Sequence, residues 1–527
     1  MSAGGLLARR FAADYTRNGV NALVLVLVPG TFVVVAAGSL GDAATRLGGN
    51  AAAVATVTAG WAAGFVSAVG MYFLVAGNRQ PDRRLLISGL PRRTLVLARS
   101  ATGLLVAAVS AAAALAALAL RSGIDSPGRA VLGTIMFALV YAAVGALMAV
   151  LLPDPVNGVI AVLFVWILDV FFGPALTGSA RAGTRFLPTH YLSLWMTGQS
   201  PGHEVLGTEL AWAVGWTVVA IAAAAWLLSL SGRRPQRWLR HRRAVQSTAS
   251  PATPSATGRT GAALPRRVRT IPPTAAALTA SVRDWARVRV LWLLLVLVPA
   301  VFVLLSDAIT PPGRMAVTAV DAGRTVTVMV DPADLHAGTM AVSGIAALAM
   351  LSGAFVVLDS RHADRRLTQA GLPRRSVITA RMSTAVLAAA IATAASLLMT
   401  ALVFTPANWW AYGLASVLVA VTYAFAGMIV APLVGRVAAI LLAFLIPFLD
   451  LGLSQSPMLR AEPEAWAQAL PGDGGMRLLI DASVTPGLDQ WGSLASSLAW
   501  LGVAAVGAAA VVAMSASRSA RMTDLSS

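Results

Sequence analysis

Read for hydrophobic and polar positions, the chain is a series of long, uncharged apolar runs separated by short polar intervals. The runs lie near residues 21–40, 53–76, 100–120, 130–152, 158–175 and 208–230. After a polar stretch they resume near 290–306, 339–358, 383–404, 410–431, 437–454 and 492–514. An α-helix rising about 1.5 Å per residue needs about 20 residues to cross about 30 Å of hydrocarbon. The pattern therefore predicts twelve transmembrane helices. Barrel strands are poor rivals, because those alternate over only about 10 residues and these runs are continuous in Ala, Leu and Val. The first run follows Arg9 and Arg10 as a signal peptide would, yet it recurs mid-chain, where cleavage makes no sense. Leu25-Val26-Leu27-Val28-Pro29 with Phe32-Val33 returns as Leu295-Val296-Leu297-Val298-Pro299 with Phe302-Val303.

Other segments recur in the same order. Asp82-Arg83-Arg84-Leu85, Gly89-Leu90-Pro91-Arg92-Arg93-Thr94 and Ala98-Arg99 follow the second run. Asp364-Arg365-Arg366-Leu367, Gly371-Leu372-Pro373-Arg374-Arg375-Ser376 and Ala380-Arg381 follow the eighth. Asp14-Tyr15-Thr16-Arg17 matches Asp284-Trp285-Ala286-Arg287, Leu168-Asp169 matches Leu449-Asp450, and Leu187-Pro188 matches Leu470-Pro471. Six runs per copy bring the second copy in from the same side, as a parallel repeat. The expected organisation is a first six-helix half over 1–230, a linker over 231–275 and a second six-helix half over 276–527. The linker opens with Arg233, Arg234, Arg237, Arg240, Arg242 and Arg243 and continues in Ser, Thr, Pro, Ala and Gly. It buries too little apolar surface to offset its chain entropy and is expected to be disordered. The expected fold class is all-α: a polytopic membrane protein of two parallel, pseudo-symmetric six-helix halves with interfacial amphipathic helices.

Composition narrows the function. With 57% hydrophobic residues, 12% charged residues and a mean hydropathy of +0.75, the chain is too apolar for a soluble domain, where about 25% of residues are charged. It has no Cys, which excludes a disulfide scaffold. All 40 basic residues are Arg, so a P-loop lysine and Schiff-base chemistry are both excluded. All but nine of those arginines fall on one side of the predicted spans; the nine are Arg46, Arg121, Arg129, Arg181, Arg185, Arg314, Arg324, Arg460 and Arg477. The positive-inside rule makes the Arg-rich side cytoplasmic, with both termini there. The net charge of +18 is then a topology signal, and nucleic acid is not an expected partner. The five His are scattered without zinc spacing, and no nucleophile elbow occurs. No catalytic or metal residues are expected. His190 reads as a surface residue.

The repeated loop is the most informative local pattern. Asp82 after Pro81 can cap a short helix, Gly89 supplies a left-handed stop, and Pro91 prevents continuation. Asp364, Gly371 and Pro373 repeat the pattern. Amphipathic segments precede each half: Leu7, Phe11 and Tyr15 in one, and Leu278, Val282, Trp285 and Val288 in the other. Asp169 and Asp450 are the clear intramembrane acids. A charge there costs about 2.5–3.5 kcal/mol on insertion scales. Each acid is either an outer gate or the cap of a span that ends early. Trp166, Phe171, Phe172 and Phe448 beside them read as pathway lining or as packing.

These features together resemble the permeases of type-2 ATP-binding-cassette exporters. The double-length form is similar to permeases of actinobacterial antibiotic and multidrug exporters of the tetronasin type. The resemblance implies that residues 82–91 and 364–373 are coupling helices gripped by two copies of a separate ABC ATPase subunit. Docking would use Asp82, Arg83, Arg84, Leu85, Leu86, Gly89 and Pro91, and Asp364, Arg365, Arg366, Leu367, Gly371 and Pro373. Leu86-Ile87 in one copy corresponds to Thr368-Gln369 in the other, so the two docking sites are expected to be chemically unequal. The resemblance also implies a lipophilic, drug-like cargo moved outward across a bacterial cytoplasmic membrane, with lipid as a further partner. This chain would hold no cofactor, and ATP and Mg would sit in the ATPase. Trp166, Asp169, Phe172, Phe448 and Asp450 are the pathway and outer-gate candidates. The rival is a proton-coupled transporter of the major-facilitator kind. Its loop after the second span has a tighter Gly, Asp-Arg and Gly-Arg-Arg spacing than Gly77, Asp82-Arg83-Arg84 and Gly89-Leu90-Pro91-Arg92-Arg93 here. A third class, a membrane scaffold or integral-membrane enzyme, finds no site residues to support it.

Overall fold

Hydrocarbon offers no partner to a backbone N–H or C=O, so apolar segments satisfy those groups internally as helices. The computed structural model describes residues 3–17, 19–46, 50–124, 126–152, 154–177, 182–198, 206–230, 272–310, 313–460 and 462–517. Among the described residues ten helices are long and apolar enough to cross a membrane, by length and composition, and the structure is 82% helical. The chain is an integral membrane protein. In order, it forms α1 (Ala3–Arg17), α2 (Gly19–Arg46), α3 (Ala51–Ala76), α4 (Arg79–Ile87), α5 (Arg92–Arg121), α6 (Pro127–Leu151), α7 (Pro155–Phe172), α8 (Pro174–Thr177), α9 (His190–Thr197) and α10 (Leu206–Leu230). The series resumes with α11 (Pro273–Ala286), α12 (Arg289–Ile309), α13 (Pro332–Leu358), α14 (Arg361–Gln369), α15 (Arg374–Thr400), α16 (Trp409–Pro447), α17 (Asp473–Val484) and α18 (Trp491–Ser517).

Local chemistry sets many of these ends. The Asn50 side chain accepts from Ala52 N and Ala53 N, Asp331 accepts from Ala333 N, and Asn408 accepts from Ala411 N. Each satisfies an N–H that a helix start leaves orphaned. Pro127 and Pro332 open their helices where no N–H is needed.

The fifth run of each expected half is short. Asn157–Val170 and Ala438–Ser454 are apolar helices below spanning length. The expected separate runs 410–431 and 437–454 share one helix, α16, broken at Gly435 by its left-handed φ of 80°. A π-helical turn, Phe448–Ser454, ends that path. The linker 231–275 lies outside the described residues except at 272–275.

The all-α expectation needs one amendment. Between α12 and α13 a hairpin forms, with β1 (Met315–Asp321) antiparallel to β2 (Arg324–Val330) and Met315 paired with Val330. Ala322 and Gly323, at φ 49° and 74°, make its turn, the conformation that a two-residue hairpin turn prefers. Apolar and polar residues alternate here, burying Val317 and Ala319. That period of two is present in the sequence but is overshadowed by the long runs on either side.

At the centre, α3 packs on α6 and α13 on α16 with their backbones in near contact. A Cβ on Gly145 would lie 2.0 Å from Ala68 O, and one on Gly427 would lie 2.0 Å from Met350 O. Without a hydrophobic force between helices in lipid, such close approach supplies the packing. At the periphery α10 and α18 leave Trp212, Trp226, Val218, Val503 and Val506 exposed, as lipid-facing helices should.

Gly427→Ala should therefore destabilise the purified protein by about 1–3 kcal/mol, the usual cost of overpacking. Gly413→Ala, whose new Cβ would meet only Leu397 Cδ1 at 3.8 Å, should leave the thermal midpoint unchanged.

Candidate functional site

The repeated loop folds as a short helix in both places, held by an ion pair that is partly buried in the first and buried in the second. In α4, Asp82 lies one turn in from the start. Its Oδ1 receives Arg99 Nη2 at 2.7 Å and its Oδ2 receives Arg99 Nε at 3.4 Å. The Arg99 guanidinium lies 3.6 Å from the centroid of the Phe11 ring on α1. One arginine thus joins α1, α4 and α5. In α14, Asp364 Oδ1 receives Arg381 Nη2 at 2.6 Å, and Arg381 Nη1 donates to Ser281 Oγ on α11 at 2.8 Å. The acid and the base are 17 residues apart in both clamps.

The expected cap is corrected here. Helix α4 begins at Arg79 after Asn78, whose side chain makes no capping bond, and α14 begins after Ser360. Asp82 and Asp364 accept from arginine instead, because a fork of N–H groups was within reach. The expected stops form as read. Gly89 and Gly371 have φ of 93° and 92°. Gly89 N donates to Leu86 O and Leu90 N to Leu85 O, the pair of bonds that closes a helix around a left-handed residue. Pro91 and Pro373 precede α5 and α15 directly.

Leu85 and Leu86 are half-buried against Phe11, Leu95 and Ala98. Arg83, Arg84 and Ile87 face outward, with Ile87 76% exposed. On α14 Arg366, Leu367 and Gln369 are exposed, while Arg365 is half-buried.

On the opposite face each predicted intramembrane acid is buried. Tyr141 of α6 donates to Asp169 Oδ2 at 2.6 Å, and Thr189 at the start of α9 offers both Oγ1 and N. Tyr423 donates to Asp450 Oδ2 at 2.5 Å, and Gly472 N at the start of α17 donates to Oδ2 at 3.0 Å. Each carboxyl group ties a long helix to the start of a short outer helix. Trp166 stands where helices from before residue 231 meet those from after residue 271, with Phe32 and Phe65 on one side and Phe448 at 6.3 Å on the other. Its indole N–H donates to Trp61 O. The Phe172 side chain lies outside the described residues.

A cluster that sequence reasoning missed crosses between these two sets of helices. Arg460 pairs with Asp42 on α2 at 3.2 Å and with Glu464, which lies 3.5 Å from Arg121 at the end of α5. Gly38 leaves room for both guanidinium groups, since a Cβ there would meet Arg460 Nη2 at 2.9 Å. No spacing pattern could announce a contact across 418 residues. Tyr141 and Tyr423 were also missed, although each lies 27 or 28 residues before its acid. His190 is corrected from surface to buried, at 1% exposure, with Nδ1 3.2 Å from Thr184 Oγ1. Burial, with the Arg185 charge nearby, pushes its pKa down to about 4. Among the described residues no group of His, Asp and Glu could hold a metal.

Residues 53–230 match the family model of the ABC-2 family transporter proteins. The match covers about a third of the chain, from α3 to α10, and includes the α4 clamp, Tyr141 and Asp169. It supports a type-2 ATP-binding-cassette permease, the membrane subunit of an exporter that works with an ABC ATPase. No curated protein matches the chain.

Removing one partner of a buried ion pair costs about 3–5 kcal/mol, and replacing both by apolar residues costs far less. Asp364→Leu should thus lower the thermal midpoint sharply, and adding Arg381→Met should restore most of it. As pH falls below 6.5 the unfolded chain protonates at His190 while the folded chain resists until about 4. The stability this site contributes above 6.5 is therefore lost toward pH 4. His190→Gln should flatten that part of the melting profile.

Proposed function

We propose that this chain is the permease subunit of an ATP-binding-cassette exporter, driven by ATP that a separate ATPase subunit hydrolyses. The observation that carries this reading is the exposed short helix on the Arg-rich face, made twice and clamped each time by an Asp–Arg pair. The match of residues 53–230 to the ABC-2 transporters supports it at the first of those helices. In this reading the ten long helices and the two shorter ones form twelve spans in two duplicated halves, 1–230 and 276–527, joined by the linker. Both termini are cytoplasmic, in a bacterial inner membrane.

Two ATPase copies dock on α4 and α14. Arg83, Arg84 and Ile87 form one contact, and Arg366, Leu367 and Gln369 the other. A motion of α4 passes through Asp82 and Arg99 to α5 and α1, because the clamp lets none of the three move alone. Nucleotide binding in the partner would then shift populations between closed and outward-open states. In the closed state the Trp166–Phe448 contact and the Arg460 cluster hold the units together on the outer side. Cargo leaves when both part. The aromatic lining suits a lipophilic, drug-like compound.

Asp169 and Asp450 accept from neutral donors. That observation favours a second reading, a proton-coupled drug transporter. Reconstituted chain that transports on a proton gradient with no ATPase would establish it.

For the exporter reading, the chain should co-purify with an ABC ATPase whose hydrolysis rises with substrate. Arg83→Glu with Arg84→Glu should weaken that association at least tenfold, about 1.4 kcal/mol. The chain has no Cys, so Asp42→Cys with Arg460→Cys bridged by a bismaleimide should stop transport while leaving ATPase binding intact.

A further inference from the structure

A cavity of about 730 Å³ opens on the Arg-rich face between α1, the end of α3, α4 and α5. One wall is apolar, formed by Leu7, Phe11, Phe73, Leu74 and Leu85. The other carries Arg10 and Arg84, with Asn78 and Ser88. Arg99 also reaches the cavity, but Asp82 neutralises it at 2.7 Å. Among the described side chains neither Arg10 nor Arg84 pairs with an acid; the Asp14 side chain, one turn from Arg10, lies outside them. The lining therefore carries two further positive charges and no acid of its own, beside a greasy wall, at the depth where α1 lies along the ends of the long helices.

We infer that this cavity is a binding site for one anionic phospholipid. The headgroup phosphate lies between Arg10 and Arg84, and an acyl chain lies along Leu7, Phe73 and Leu74. Charge complementarity chooses the occupant. Two guanidinium groups in a lining without an acid are matched by a phosphate, and a basic pocket between helices at a membrane interface is the setting in which lipid headgroups bind. The apolar wall selects a lipid over a free anion. The site belongs to the first unit only. Against the second clamp, Ser281 takes the place of Phe11 and Ala280 takes the place of Arg10, so one of the two cations is missing there. The occupant would wedge α1 against α4 and make the position of the first short helix depend on membrane composition. This inference needs no ATPase, although it shares Arg84 with the docking contact proposed above, and the lipid titration is made on the chain without any ATPase.

Native mass spectrometry of the full chain tests it. The detergent-purified protein is titrated with dioleoyl phosphatidylglycerol or dioleoyl phosphatidylcholine. One phosphatidylglycerol should be retained at least tenfold more strongly than phosphatidylcholine. Arg10→Gln with Arg84→Gln should abolish that preference, while Arg366→Gln on α14 should keep it. Ser88→Trp, which keeps both arginines and fills the cavity, should cause the same loss and guards against misfolding of the double variant. Equal retention of the two lipids, an undiminished preference in both cavity variants, or full displacement by 10 mM inorganic phosphate (the sign of a free-anion seat) would each overturn the assignment.

Discussion

A carboxylate taken out of water must find its counter-charge or a set of donors, and this molecule is organised around where it finds them. On the Arg-rich face the solution is a guanidinium 17 residues downstream. That partner fixes the angle between a short surface helix and the long helix after it. The arginine's remaining surface meets the amphipathic helix that precedes each set of long helices, through an aromatic ring at Phe11 and a hydroxyl at Ser281. Three elements that share one ion behave as one body. On the other face the acids Asp169 and Asp450 find a tyrosine hydroxyl and the first turn of an outer helix, so each end of the bundle has its own polar rivet.

The helices before and after the linker carry matching clamps and buried acids, but the contacts between the two sets are not matched. Trp166 reaches Phe448, whereas Pro447 stands where a second tryptophan would be by the Leu-Asp match. The charge cluster around Arg460 draws one acid and one arginine from each side of the linker. Beside the aromatic contact and the charge cluster, α2 packs against the Phe448–Ser454 turn, and one continuous buried apolar cluster runs through both sets of helices.

How far these features were legible depends on range. The long helices follow from apolar runs, and the left-handed stops at Gly89 and Gly371 follow from residue type alone. The clamps were half visible. Both Asp-Arg-Arg-Leu and the later Ala-Arg recur in the sequence, but a capping role was the cheaper local explanation for Asp82, and only three-dimensional packing shows the arginine arriving. Asp169 and Asp450 both meet the start of an outer helix, a contact that a gate residue and a helix-end acid would share. His190 misled because a polar residue in an outer loop reads as solvated until another loop covers it. The Arg460 cluster left no trace, since its members are far apart and each looks like an ordinary surface charge.

The hairpin between α12 and α13 carries a consequence for how the chain is made. Its strands lie near the start of the second unit, yet they are anchored by Asp481, which receives Val320 N at 2.8 Å, and by Asp489, which receives Ala322 N at 2.8 Å. The first of these anchors is 161 residues further along. At a synthesis rate of about 5–20 residues per second, β1 and β2 wait on the order of 10–30 s for their seat. Through that interval an isolated two-stranded ribbon is at best marginal. Helix α17 and the loop after it therefore decide when the hairpin is seated, and a nascent chain halted before residue 481 would hold its long helices with an unanchored flap.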